Sequence, residues 1–192
     1  MTTGADRRTR RRQQLFEELL SATRTVARSE GWHAVTIRKI SAELGMTSAA
    51  IYRYVDSKGE LMEELIRRGF AQLANVMRSS ATDAREPLRA AVQAYLGFAR
   101  AEPDLYRAMY GLDGARFVEG TAEEGSEIGR IIAEAMVHEG WLEAPDPLHP
   151  EILRLWATVH GLVALRASGR LPEDPVGLAD QAVDRLGAEL GD

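Results

Sequence analysis

The stretch Thr36 to Leu61, TIRKISAELGMTSAAIYRYVDSKGEL, constrains the fold more than any other part of the chain. Thr36 is a good N-cap, and Ile37, Ile40 and Leu44 recur on one helical face. Gly45 can adopt the left-handed conformation that ends such a helix. Met46 and Thr47 complete a short turn, and Thr47 caps a second helix, Ser48 to Tyr54, that turns Ile51 and Val55 inward. Two short helices around a glycine turn make a helix-turn-helix. The N-terminal end of the second helix in such a unit meets base edges when it reads a duplex, so it needs small or polar residues. Ser48, Ala49 and Ala50 meet that demand, and Tyr52, Arg53 and Tyr54 supply hydroxyl and guanidinium donors.

The set Thr36-Ile37-Arg38, Ile40, Leu44-Gly45, Thr47, Ile51-Tyr52-Arg53-Tyr54, Ser57-Lys58 and Glu60-Leu61 resembles the tetracycline-repressor (TetR) family of bacterial transcription regulators. The resemblance covers roughly residues 10–61. Val55 stands where that family usually has Phe, and Ser41 where it often has Ala. The resemblance implies a DNA face of Arg38, Thr47, Ser48, Ala49, Ala50, Tyr52 and Tyr54, with Lys58 as a phosphate clamp and Arg53 as a second. Ala49 and Ala50 offer only apolar contacts, for example to thymine methyl groups.

Charge supports this. The chain carries a net −5, but residues 1–60 sum to +4 and residues 61–192 to −9. A basic head on an acidic body gives that asymmetry. There is no cysteine, which excludes disulfides and thiolate metal sites. The Arg-rich start has no apolar segment of the secretory kind, and the near-apolar run Trp156 to Leu165 is too short to span a bilayer. The expectation is a cytoplasmic protein with no membrane partner.

Residues 1–12, with Arg7, Arg8, Arg10, Arg11 and Arg12, read as a basic flexible arm. Such an arm either reaches DNA or is a solvated tail. A first helix is expected over 13–30, a fourth from Ser57 to about Ser79, a fifth from Pro87, and a sixth over Asp104 to Tyr110. Further helices are expected over Ala122 to Glu139, from His149-Pro150 to Gly169, and from Asp174-Pro175 to about Leu190. No segment alternates with period two, so the fold class is all-α. The division expected is a helix-turn-helix head over 13–60 and a six-helix body over 61–192 for effector binding and dimerisation. That is also the architecture the resemblance implies.

Trp156, His160 and Gly161 resemble the Trp-His-Gly signature of one class of C-terminal domain in the same family. The resemblance implies a small-molecule pocket in the body, and Phe98, Tyr106, Met109, Tyr110, Phe117, Trp156 and His160 are its candidates. Core filling is the default use of these residue types, and a lone mid-helix histidine is first a hydrogen-bonded core residue. The four histidines form no metal site, since Gly31 breaks the helix between Glu30 and His33. No phosphate loop or nucleophile elbow is present, so neither a catalytic residue nor a cofactor is expected. The wide apolar faces of the last two helices suggest a homodimer through Leu155, Leu162, Ala179, Val183 and Leu186. The expected function is a ligand-responsive repressor of a palindromic double-stranded operator. The alternatives are an all-α small-molecule carrier with a vestigial head, and an architectural DNA-binding protein with no effector.

Overall fold

The computed structural model describes residues 4–112, 122–171 and 174–191, with the side chains of 4, 5 and 122–125 left aside. The elements are α1 (Gly4–Glu30), a 3-10 turn (Trp32–Ala34), α2 (Ile37–Glu43), α3 (Ser48–Ile51), α4 (Lys58–Ala81), α5 (Pro87–Ala101), α6 (Pro103–Met109), α7 (Ala122–His138), α8 (Pro150–Ala167) and α9 (Val176–Leu190). The all-α expectation holds, with no strand among the described residues.

Packing separates two units. One is Met1–Arg68 with Arg107–Val118; the other is Gly69–Tyr106 with Glu119–Asp192. The division falls eight residues later than the 60/61 boundary expected from sequence, inside α4, which runs unbroken from Lys58 to Ala81.

In the head, Leu19, Leu20, Val26, Trp32, Val35, Ile40, Ile51, Val55 and Leu61 form the core. The local chemistry that sets the helices is visible. Thr36 Oγ1 accepts from Lys39 N at 3.2 Å, and Thr47 Oγ1 accepts from Ala50 N at 3.2 Å. Gly45 has φ +63 with nothing within 4 Å of a would-be Cβ, so the left-handed backbone alone demands glycine there. Before α4, Glu60 N donates to Ser57 Oγ at 3.4 Å while Asp56 N donates to Glu60 Oε2 at 2.8 Å, a capping box displaced by one residue. Arg68 forks onto both oxygens of Glu17 at 2.6 and 2.7 Å, which ties α1 to α4 and holds the Glu17 carboxyl below its usual value.

Two expectations are corrected in the head. The arm is not unstructured from Gly4 onward: those residues are the first turns of α1, since no Gly or Pro interrupts Ala5 to Glu30 and Arg is a good helix former. The second helix of the motif is shorter than Ser48 to Tyr54, with regular helix ending at Ile51 and turns continuing through Tyr54.

In the body, α5 packs on α7, α8 and α9, and α8 on α7 and α9. Pro87 opens α5 without a side-chain cap of its own; instead Glu139, at the end of α7, accepts from Leu88 N at 2.9 Å. A polar seam runs along α5 and α9, where Arg89 bonds Glu86, Asp180 and Asp184, and Gln93 bonds Asp180. Nearby, Arg100 pairs with Asp174 just before α9. Gly187 lets α9 close on the Trp141 indole: a Cβ there would stand 2.6 Å from ring carbon Cζ2.

Candidate nucleic-acid interface and body site

The head builds one polar concavity where the starts of α2, α3 and α4 converge. Thr36, Ile37, Arg38, Ser48, Tyr52, Asp56, Ser57 and Lys58 line a cavity of ≈ 470 Å³. Arg38 and Tyr52 are exposed, Tyr52 to 56%. Lys58 is also exposed, but its Nζ donates to Val35 O at 3.0 Å, so the ammonium is fixed beside the N-terminus of α2. Helix starts carry unpaired N–H groups and positive partial charge. An Arg, a Lys, hydroxyls and the first turn of the long α4 therefore face one space suited to an anionic oxygen. Asp56, on the rim, is the single acidic group among the lining residues.

Of the nine residues expected on the DNA face, this cavity gathers Arg38, Ser48, Tyr52 and Lys58. Thr47, Ala49 and Arg53 are exposed outside it, and Ala50 and Tyr54 are half-buried. Two contributors escaped sequence reasoning. Thr36 and Ser57 line the cavity, and their standing as helix caps was the signal that could have found them. Ser41 is the other kind of omission. It is only 4% exposed, donates to Arg38 O at 2.9 Å and shares a hydrogen bond with Ser48 Oγ at 3.1 Å. The hydroxyl absent from an Ala at this position thus joins α2 to the first residue of α3.

In the body the structure brings together three of the expected pocket residues and adds a fourth. Tyr106 Oη lies 2.6 Å from His160 Nδ1 and 2.8 Å from Tyr95 Oη, and Tyr95 Oη lies 3.4 Å from the same nitrogen. Trp156, 38% exposed, stands one turn before His160 with ring centroids 6.0 Å apart. Both tyrosines are fully buried, while His160 is half-buried. Burial holds the His160 pKa below its usual value, which favours the neutral ring. With its proton on Nε2, both tyrosine hydroxyls in the triad find acceptors: Tyr95 donates to Tyr106, and Tyr106 donates to Nδ1. The triad joins α5, α6 and α8.

The remaining pocket candidates fall elsewhere. Phe98 is buried in α5, Met109 and Tyr110 belong to the head's packing unit, and Phe117 lies outside the described residues. A separate cleft of ≈ 380 Å³ lies where α4 ends, α5 begins and α7 passes, with Thr82, Asp83, Glu134 and His138 around Ile131 and Ala135. None of the expected pocket residues lines it. No group of His, Asp and Glu suited to a metal ion occurs among the described residues.

Four of the five expected dimer contacts are enclosed within the single chain. Leu155, Ala179, Val183 and Leu186 are 4%, 0%, 3% and 7% exposed, because α9 packs its apolar stripe on α5 and α8. Leu162 is half-buried. The large apolar side chains exposed on α8 and α9 are Leu153, Trp156, Leu165 and Leu178. Among the described residues no helix is long and apolar enough to cross a membrane.

Comparison with known proteins places this geometry among relatives. A family profile described as "Tetracyclin repressor-like, C-terminal domain" matches residues 88–186, and one described as "Bacterial regulatory proteins, tetR family" matches residues 19–65. The nucleoid occlusion factor SlmA of Photobacterium profundum is 28% identical over 111 residues, 56% of this chain and 55% of that protein. The chain thus spans about half the length of the curated relatives it matches. Among solved structures, a candidate regulatory protein, SCO4313, superposes with a TM-score of 0.77 at 25% identity, covering 93% of this chain and 97% of the other. PfmR of Thermus thermophilus, a TetR-family transcriptional regulator, shares the fold at a TM-score of 0.65 and 15% identity, covering 88% and 96%.

Proposed function

Since the chain belongs to the tetracycline-repressor family of transcription regulators, which bind DNA and are not enzymes, we propose that it is a ligand-responsive repressor of a palindromic operator. The observation that carries this reading is the cavity holding Arg38, Ser48, Tyr52 and Lys58 together at the mouth of the short α3, in a basic head. Lys58, anchored on Val35 O, presents its charge to a phosphate beside the groove, and Ser48, steadied by Ser41, faces base edges. Thr47, Ala49, Ala50, Arg53 and Tyr54 complete the surface along the same turn.

Members of this family act as dimers. For this chain the exposed apolar side chains Leu153, Trp156 and Leu165 of α8, together with Leu178, support pairing about a two-fold axis. A two-fold dimer presents two recognition helices to successive turns of a palindrome. A small-molecule effector held in the body near Tyr106, Trp156 and His160 favours one of two dimer states, and α4, unbroken from body to Lys58, passes the preference to the DNA face. A DNA target puts the protein in the cytoplasm.

The test is to sequence genomic fragments retained by the purified chain and then titrate the recovered duplex. Wild type should bind it as a dimer. Lys58→Ala should weaken binding and flatten the dependence of log affinity on log salt by about 0.9, one phosphate contact. No enrichment of any duplex over random DNA would refute the reading.

A further inference from the structure

The beginning of α1 has the wrong energetics for a helix in isolation. Residues Asp6 to Gln14 are exposed without exception, and Leu15 and Phe16 are the first side chains to be partly covered. This overhang is nine residues, roughly 14 Å at the helical rise. Being exposed throughout, it buries little against the rest of the head, and a helix of that length with little packing is marginal in water. Its sequence weakens it further. Arg7 with Arg10, Arg7 with Arg11, Arg8 with Arg11 and Arg8 with Arg12 are like charges at spacings of three and four. No side chain of these five arginines makes an ion pair or hydrogen bond among the described residues.

Angular position sharpens the point. At 100° per residue, the five guanidinium stems cover more than half of the helix circumference. The face that further along α1 carries Leu19, Val26 and the rest of the core stripe carries Arg8 and Arg12 here. An apolar face suited to lipid is therefore missing, and so is any stripe that could dock on protein core. The overhang presents fixed cations in several directions, in the same packing unit as the reading cavity.

We propose that the α1 overhang is a second DNA-contacting element, a helix that duplex phosphates flanking the reading site stabilise and that contributes affinity without sequence preference. The inference rests on the DNA-reading function above. Phosphate neutralisation removes the repulsion among Arg7, Arg8, Arg10, Arg11 and Arg12, and the released counterions give the contact its salt dependence.

The experiment uses the full chain, with Arg7→Gln, Arg8→Gln, Arg10→Gln, Arg11→Gln and Arg12→Gln combined, against the duplex recovered from genomic DNA and a random duplex of equal length. All five positions are exposed, so an unchanged melting midpoint should confirm that the fold is intact. The slope of log affinity against log salt should become shallower by about 0.9 for each phosphate no longer neutralised, hence by about 2 or more, on both duplexes alike. Wild type should gain far-ultraviolet helix signal on adding either duplex, and the variant should gain less. An unchanged slope, with wild type still binding, overturns the proposal. So does loss of binding to vesicles of anionic phospholipid with no change on DNA. Failure of wild type to bind any duplex would instead strike the head reading itself, which Lys58→Ala probes independently.

Discussion

Replacing Tyr106 by Phe tests the buried triad at its centre. The substitution keeps the ring in its T-shaped contact with Tyr95, centroids 5.8 Å apart, and removes only the hydroxyl. Two hydrogen bonds go with it, at 2.6 and 2.8 Å. A net hydrogen bond contributes about 1 kcal/mol, and a buried polar atom left unpaired costs about 1–3 kcal/mol. Part of that is recovered, because Tyr95 Oη is already 3.4 Å from His160 Nδ1 and needs to move by only a few tenths of an ångström to donate to it. The expected loss is therefore about 1–2 kcal/mol, and Tyr95→Phe, which leaves the stronger bond intact, should cost about 1 kcal/mol or less. For a chain of this size that is a drop of roughly 2–8 °C in melting temperature. The pH profile supplies a second readout. His160 has a lowered folded pKa, so its neutral form stabilises the fold fully above the unfolded value near 6.5, and stability falls as pH drops from 6.5 toward the folded pKa. Burial is what lowers that pKa, and Tyr95 can take over as donor to Nδ1, so Tyr106→Phe should keep that decline while lying below wild type at every pH. Chemical denaturation at several pH values measures both. If Tyr106→Phe were neutral in stability at every pH, the triad would not be a coupled hydrogen-bonded unit.

Further outcomes follow from packing. Val183→Asp places a carboxylate at a 3% exposed site and should unfold the body, whereas Leu153→Asp and Leu165→Asp, both exposed, should dissociate the proposed dimer while circular dichroism stays native. Sedimentation with circular dichroism separates the two results, and a folded, monomeric Val183→Asp would contradict the burial argument. Gly187→Ala gains helix propensity but drives Cβ to within 2.6 Å of the Trp141 ring, so thermal melting should show a net loss of about 1 kcal/mol. Ser41→Ala should cost about 1 kcal/mol and weaken operator affinity more than affinity for random duplex, because it frees Ser48 without touching a phosphate contact.

Much of the head was legible because its determinants are local. A cap is a hydroxyl three residues from the amide it accepts, so Thr36 and Thr47 announce their helices from sequence. Gly45 is required by the backbone angle of its own residue. The cavity around Arg38, Ser48, Tyr52 and Lys58 was half legible for the same reason: those side chains sit at fixed offsets from the turn, while Thr36 and Ser57 enter it only because two helix starts meet in space.

The body was less legible because its chemistry is made by residues far apart in the chain. Tyr106 and His160 stand out in sequence only as separate pocket candidates, and with Tyr95 they become one hydrogen-bonded unit only when three helices converge. Glu139 caps a helix that begins 51 residues earlier. Periodicity told which stripe of α9 is apolar, and it did so correctly. It could not tell whether the surface that covers the stripe belongs to the same chain or to a second one. The fold gave Ala179, Val183 and Leu186 to α5 and α8 within the chain and left Leu153, Trp156 and Leu165 outside. The physical reason is that apolarity is a property of one residue, whereas burial is a property of a pair of surfaces, and the sequence holds the first while tertiary packing alone decides the second.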